Sequence, residues 1–157
     1  MAAALAGCAS GGAPGSSAVA SVKAVYGSVP SGNVSFTQQG PDTLVYAHFA
    51  GFPINAIYAF HVHEKGDCSG TELMAAGGIY NPTGKPHGPQ DREHMVGDMP
   101  SLVGDTEGLA DARFVLKGVS VSDLIGRSVI VHGYPDDYRT QPEGASGART
   151  GCGVIKA

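Results

Sequence analysis

Apolar and polar residues alternate along most of this chain, which is the two-residue period of β-strands with one buried face. Turn residues separate the alternating runs, for example at Pro30-Ser31-Gly32 and Gly40-Pro41-Asp42. No long segment has the period of a helix. The pattern therefore predicts an all-β domain, with strands at residues 20–29, 33–38, 44–49, 57–63, 109–116, 128–132 and 152–155.

Two long stretches interrupt the predicted strands and have no period of their own. The first lies between His63 and Leu109 and is rich in Gly, Pro, His and Asp, and the second runs from Gly133 to Gly151. Loops of this length in a compact domain are usually functional. We therefore expect two long functional loops.

Length and composition limit the class of protein. The chain has 157 residues, enough for one domain with a real core, and 42% of them are hydrophobic. A net charge of −4 and the lack of a basic run argue against nucleic-acid binding. No apolar stretch approaches the length of a membrane span. These features fit a single globular β-domain.

Metal-binding chemistry is indicated by the sequence Phe60-His61-Val62-His63. Side chains alternate along a strand, so His61 and His63 leave the same face with their imidazoles close together. One such pair is weak evidence for a metal site, but a third histidine, His132, ends another predicted strand. Three imidazoles suit copper, zinc, nickel or iron, whereas calcium and magnesium prefer oxygen ligands.

The N-terminal residues resemble the lipidation signal of a bacterial lipoprotein. Leu5-Ala6-Gly7-Cys8 has the form of a lipobox and is followed by small residues and proline as far as Ser17. Because a basic n-region is missing, we expect the true start to lie upstream; the alternative is an Ala/Gly/Ser tail with a stray thiol. On the first interpretation residues 1–18 are a signal remnant and tether, residues 19–157 are the folded domain, and Cys8 is lipidated.

Lipidation would also fix the compartment of the protein. The chain would be exported to the periplasm or cell envelope and attached to the membrane only through its lipid. If Cys8 is lipidated, Cys68 and Cys152 are left for a disulfide, which suits an oxidising compartment.

Two segments resemble the signatures of the copper–zinc superoxide dismutases. Residues 59–68, AFHVHEKGDC, resemble the first signature in its bacterial form, and residues 147–155, GARTGCGVI, resemble the second. Further family motifs stand between them in the family's order: Asn81-Pro82, His87-Gly88-Pro89, Val96-Gly97-Asp98 and Val131-His132. The resemblance covers about residues 20–157 and implies an immunoglobulin-like Greek-key β-barrel or sandwich of about eight antiparallel strands.

The resemblance also implies roles for individual residues. The implied copper ligands are His61, His63 and His132. Arg149 matches the arginine that attracts and orients the superoxide anion. Cys68 and Cys152 match the family's disulfide, which ties the first long loop to the last strand.

The zinc half of the family's site is incomplete in this sequence. Ile79 stands in place of the histidine that bridges copper and zinc, and Met95 stands in place of another zinc histidine. A vestigial set remains, whose second member is displaced by one residue: His87, His94 and Asp98. Because zinc prefers a closed tetrahedral site, we expect copper as the cofactor and no tightly bound zinc. Asp136 matches the aspartate that orients a copper histidine and a zinc histidine, here His61 and His87.

The implied function is copper-dependent conversion of superoxide to oxygen and hydrogen peroxide, with reduced activity because Ile79 cannot replace the bridging histidine. Glu143 stands where a small hydroxyl residue is usual, which weakens the attraction of superoxide. Two alternatives stay open: a non-catalytic periplasmic copper-binding or copper-delivery protein on the same fold, and a relic whose empty site serves protein interaction. Superoxide is the expected substrate and a copper donor an expected partner, while the oligomeric state stays open.

Overall fold

Strands dominate the part of the chain that the structure, a computed structural model, describes, which is residues 16–25 and 30–157. The strands in these residues are β1 (Ser17–Ala24), β2 (Ser31–Gln39), β3 (Asp42–Ala50), β4 (Ile57–Tyr58), β5 (Phe60–His63), β6 (Leu102–Val103), β7 (Leu109–Leu116), β8 (Ser128–His132) and β9 (Arg149–Lys156). A 3-10 segment at Thr71–Ala76 and a one-turn helix α1 (Val121–Leu124) accompany them. Among the described residues, no helix has the length and apolar character needed to span a membrane. The predicted lipidation site, Cys8, lies outside the described residues.

Seven of these strands form one antiparallel sheet in the order β5-β8-β9-β1-β2-β3-β7, and β4 pairs with β6 in a separate ribbon. From β3 the chain crosses to the far edge of the sheet as β5 and returns as β7 beside β3, which is a Greek-key crossing. β4 leads directly into β5, while β6 packs against β7. The expected all-β Greek-key fold is therefore confirmed.

One apolar core fills the inside of the curled sheet, because successive side chains of a strand point to opposite faces. Buried Ala18, Ala20 and Val22 alternate with exposed residues along β1, and β2 and β3 follow the same rule. Near the centre, the rings of Phe49 and Phe60 meet edge to face at 6.5 Å. In β5 all four residues are buried, because the long loops cover its other face.

Strand boundaries are where the structure departs from the sequence prediction. β1 runs from Ser17 to Ala24, whereas the prediction began at residue 20; residues 26–29 of the predicted strand lie outside the described residues. The strand predicted at 57–63 is interrupted at Ala59, because this residue pairs instead with the backbone of His132 and Tyr134. β6 was missed inside the first long loop, since two residues are too few to show a period.

A disulfide between Cys68 and Cys152 joins the first long loop to β9, across a sequence separation of 84 residues. Cys152 is buried in a small apolar cluster with Leu73, Ala76 and Ile130. The disulfide therefore holds the 3-10 segment of the first loop against β9.

Removing this disulfide should destabilise the domain. Because the bond closes a long loop, the chain-entropy estimate puts the loss for a Cys68→Ala, Cys152→Ala double variant at about 4 kcal/mol. Denaturant unfolding of the variant and the oxidised protein measures the difference, with the reduced protein as a control that should match the variant. Equal unfolding midpoints, or free thiols at both positions in the native protein, would contradict this expectation.

Candidate metal centre

Three histidines from two neighbouring strands meet on the loop-covered face of the sheet. β5 supplies His61 and His63, while Phe60 and Val62 point into the core. β8 pairs with β5 and ends at His132. All three imidazoles are fully buried. Strand alternation and strand pairing together bring these side chains to one place.

One nitrogen from each of the three rings faces a common centre. These nitrogens all lie within 4.8 Å of one another, and His61 Nδ1 lies 3.1 Å from His132 Nε2. The Nε2 atom of His63 is buried and has no hydrogen-bond partner. A buried nitrogen without a partner costs free energy, and a metal ion at the centre would satisfy all three nitrogens at once. The donor set therefore fits copper, for which imidazole is a suitable ligand.

The outer nitrogen of each ring has an acceptor, which fixes the tautomer. His63 and His132 donate from Nδ1 to the backbone carbonyl oxygens of Gly77 at 2.9 Å and Gly147 at 3.5 Å. His61 donates from Nε2 to a carboxylate at 2.8 Å. Because each proton sits on the outer nitrogen, each inner nitrogen keeps its lone pair for a metal.

Burial keeps two of these rings neutral. It lowers the pKa of His63 to about 3 and the pKa of His132 to about 2, despite the opposing hydrogen bonds to backbone carbonyl oxygens. Neighbouring positive charge, including that of Arg149, lowers both values further. Neutral imidazole is the form that binds metals, so no proton must leave at neutral pH before a metal enters.

Asp136, in the second long loop, links the three-histidine group to a fourth histidine. Its Oδ2 accepts a hydrogen bond from His61 Nε2 and its Oδ1 accepts one from His87 Nε2, each at 2.8 Å. The backbone N–H of Tyr138 donates to the same Oδ1 at 2.6 Å. Burial alone would raise the pKa of Asp136, but these hydrogen bonds hold it well below its usual value. Asp136 is therefore an anion that holds both rings in position.

His87 lies between two carboxylates. Its Nε2 faces Asp136, and its Nδ1 lies 2.6 Å from Asp98 Oδ1. Burial alone would lower the pKa of His87, but hydrogen bonds to Asp136 and Asp98 outweigh it and raise the pKa to about 9. Both ring nitrogens therefore carry a proton at neutral pH, and the ring is a cation.

The vestigial zinc set is not assembled in the structure. His87 and Asp98 lie together, but Asp98 Oδ2 already accepts hydrogen bonds from the backbone N–H groups of Gly88 at 3.1 Å and Met95 at 2.8 Å. His94 is partly exposed and turned away, with its Nδ1 bonded to a backbone carbonyl oxygen at 2.7 Å. Two ligands do not make the four-coordinate site of structural zinc. These residues do not fit a zinc ion.

An apolar residue pairs through its backbone with one of the three histidines. Ile79 is 4% exposed and forms an isolated β-bridge with His63. It offers no ligand atom and no ionisable proton. Within the described residues a second group, His61, His87 and Asp136, brings three ligand atoms within 4.8 Å of one another, but these atoms already form the hydrogen bonds around Asp136.

Arg149 begins β9 opposite His132, across an irregularity in the pairing of β8 and β9. One guanidinium nitrogen donates to the Leu73 carbonyl oxygen at 3.2 Å, and the other terminal nitrogen lies 2.6 Å from Glu143 Oε1. Arg149 is only 8% exposed, and it lines a cavity of about 680 Å³ together with Glu143. The arginine is thus fixed in place beside His132, at the wall of this cavity.

Several partners of the site were not foreseen from the sequence. The carbonyl oxygens of Gly77, Gly147 and Leu73 act through the backbone, so no residue type marks them. One feature of the sequence could have indicated the direct contact between Glu143 and Arg149. Glu143 is an acidic residue at a position where the family usually has a small hydroxyl residue.

Comparison with known proteins gives one consistent result. The family model described as copper/zinc superoxide dismutase (SODC) matches residues 30–155. The protein named superoxide dismutase [Cu-Zn] 2 of Aquifex aeolicus is 34% identical over 134 residues, covering 80% of this chain and 78% of that protein. Superoxide dismutase [Cu-Zn] of Caulobacter vibrioides is 36% identical over 151 residues, covering 89% of this chain and 86% of that protein. The crystal structure of the clock protein EA4 has a TM-score of 0.80 and 35% identity, covering 93% of this chain and 97% of that one.

The His87 ring should stay protonated well above neutral pH. In the metal-free protein, NMR titration of the ring nitrogens should give a pKa of about 9. Since the folded pKa lies above the ordinary value of 6.5, proton binding stabilises the fold fully below pH 6.5, and this contribution is lost as the pH rises through 9. Asp98→Asn should move the pKa of His87 downward. A midpoint near 6.5 in the unmodified chain would show that the two carboxylates do not hold the proton.

Proposed function

This chain belongs to the copper/zinc superoxide dismutase family, and we propose that it dismutes superoxide with copper alone. Two superoxide anions and two protons give one molecule each of oxygen and hydrogen peroxide. The observation that carries the copper-only proposal is the contrast between the two halves of the site. Three buried nitrogens face a common centre on one side, and a protonated His87 lies between two carboxylates on the other.

The residues that would hold copper are His61, His63 and His132. Copper bound there would supply the one-electron redox chemistry, since it alternates between Cu(II) and Cu(I). The protein keeps His63 and His132 neutral by burial, and hydrogen bonds to the outer nitrogens of all three rings aim the inner nitrogens at the centre. Asp136 orients His61, and the backbone of the first loop orients His63.

Arg149 guides the substrate. The whole chain carries a net charge of −4, so attraction of an anion must be local. The guanidinium is held by the Leu73 carbonyl oxygen and lines the cavity, so an anion that enters the cavity meets a fixed guanidinium that is paired with Glu143.

Dismutation consumes protons, and the residues around the proposed copper site include few groups that could donate them. Ile79 has no ionisable group, and His63 and His132 have low pKa values because they are buried. Water in the cavity is therefore the proposed proton source. This dependence on water supports the expectation of a reduced rate.

A copper-binding or copper-delivery protein is the second candidate function. The contact between Glu143 and Arg149 favours it, because the carboxylate cancels the charge that would attract superoxide. Storage or delivery of copper needs the three histidines but does not need a free arginine. A copper donor remains a proposed partner under both functions.

Export and lipid attachment also remain proposals. The Cys68–Cys152 disulfide supports export, because disulfides persist in oxidising compartments. Mass spectrometry of Cys8 in protein isolated from its own cells would test the lipid anchor.

The folded chain should bind one copper ion and retain no zinc after dialysis against a mild chelator. Elemental analysis of the loaded protein measures both metals. His63→Ala should lose copper, because it removes a converging nitrogen, whereas His94→Ala should keep it, because His94 lies apart from the centre. One zinc ion retained per chain, and lost in the His94→Ala variant, would overturn the copper-only proposal.

The Arg149→Ala variant should distinguish between the two proposed functions, dismutation of superoxide and carriage of copper. If dismutation is the function, the rate constant should fall on the order of tenfold, because a steering charge near the reaction centre is lost. Copper affinity should change little, because three imidazoles hold the metal. Added salt should slow the unmodified protein more than the variant, since the variant leaves the Glu143 carboxylate unpaired and salt screens its repulsion of superoxide. Equal rates in both proteins, no faster than free aqueous copper, would leave copper carriage as the function.

A further inference from the structure

The anion-binding face of Arg149 is already occupied by a side chain of the same protein. The Oε1 atom of Glu143 lies 2.6 Å from a terminal guanidinium nitrogen, and the other terminal nitrogen donates to the Leu73 carbonyl oxygen. The arginine is 8% exposed and the glutamate side chain 23% exposed, so the pair is largely shielded from water. Shielding makes such a charge-assisted hydrogen bond stronger than one on the open surface.

The loop around Glu143 fixes this contact. The backbone N–H and the hydroxyl of Ser146 both donate to the Glu143 carbonyl oxygen, at 3.3 and 2.6 Å. The N–H of Gly144 donates to the Thr140 carbonyl oxygen at 2.7 Å, and Gly144 has a φ of 67°. These bonds close a tight turn that presents the glutamate to the arginine. The carboxylate is thus a fixed part of the cavity wall.

We propose that Glu143 competes with external anions for Arg149 and so sets how readily any anion binds in the cavity. An oxygen of superoxide and an oxygen of a carboxylate offer the guanidinium the same kind of acceptor. The glutamate is tethered a few residues away, so its effective concentration at the arginine is high, on the order of millimolar or more. An incoming anion must therefore displace it before it can bind. This inference rests on the proposed function, because it names the residue that sets how that site admits its substrate.

Competition of this kind acts on every anion that enters the cavity. Anions such as phosphate gain little at a guanidinium whose charge is already paired, so they do not accumulate there. Superoxide is also attracted less, and the rate constant is lowered. Because the pair is electrically neutral as a whole, it also steers anions weakly from a distance.

Glu143→Gln tests the proposal, because it removes the charge and keeps the shape. In the copper-loaded full chain, the dissociation constant for inorganic phosphate, measured by calorimetry, should fall about fivefold, in line with the strength of one partly exposed ion pair. The superoxide rate constant should rise by a similar factor and become more sensitive to salt. Glu143→Thr should behave in the same way, and it provides a second variant if the glutamine protein does not fold.

Two controls separate this effect from a change in total charge. Glu107→Gln removes the same charge from an exposed turn before β7, outside the residues that line the cavity, and should change neither quantity. Arg149→Ala in the Glu143→Gln background should abolish the gain in phosphate binding, which shows that phosphate binds at the arginine.

The outcomes distinguish this inference from the proposed function. Unchanged phosphate affinity in both Glu143 variants, with dismutation intact, would overturn the inference and leave the function standing. Tighter phosphate binding in variants that show no dismutation would overturn the function and leave Glu143 as the competitor for Arg149. An equal gain in Glu107→Gln would reduce the effect to net charge and would also overturn the inference.

Discussion

The metal centre depends on one buried carboxylate, that of Asp136. Both of its oxygens are used, one by His61 and the other by His87, and a backbone N–H adds a third hydrogen bond. A buried anion is costly unless it is paired, and these three donors are what allow it to stay ionised. The loop must approach very closely, because a methyl group at Gly144 would overlap the Asp136 carboxylate. The orientation of His61, and with it the lone pair that faces the metal, follows from this contact.

The strands and the two long loops contribute different parts of the site. The strands supply all three converging histidines, and the loops supply the acceptors that decide which nitrogen of each ring stays free. Gly77 belongs to the first loop and Gly147 to the second, while the disulfide and the bond from Arg149 to Leu73 keep the first loop against β9. A perturbation of either loop would therefore alter the metal centre without touching a ligand.

The parts of the site that follow local rules were predictable, and the parts that follow tertiary contacts were not. The alternation of side chains along a strand predicted that His61 and His63 lie on one face. The position of His132 at the end of another apolar run indicated it as the third ligand. The resemblance to a family supplied the disulfide, which the structure contains between Cys68 and Cys152. The position of His94 could not be read from spacing, because the turn after Arg92 directs its ring to a backbone carbonyl oxygen. The contact of Glu143 with Arg149 depends on the turn around Gly144, which only the folded loop defines.

The two halves of the site differ in how far their polar groups are satisfied within the protein. On the zinc side, the proton shared between His87 and Asp98 and the two backbone N–H groups on Asp98 leave that carboxylate fully satisfied. The His87 ring, whose pKa is raised to about 9, also supplies positive charge beside Asp98 and Asp136. On the copper side, His63 Nε2 has no partner within the described residues, and no nearby side chain offers it one. The groups around His87 are thus hydrogen-bonded within the protein, while the three-histidine centre has a buried nitrogen that a bound metal would satisfy.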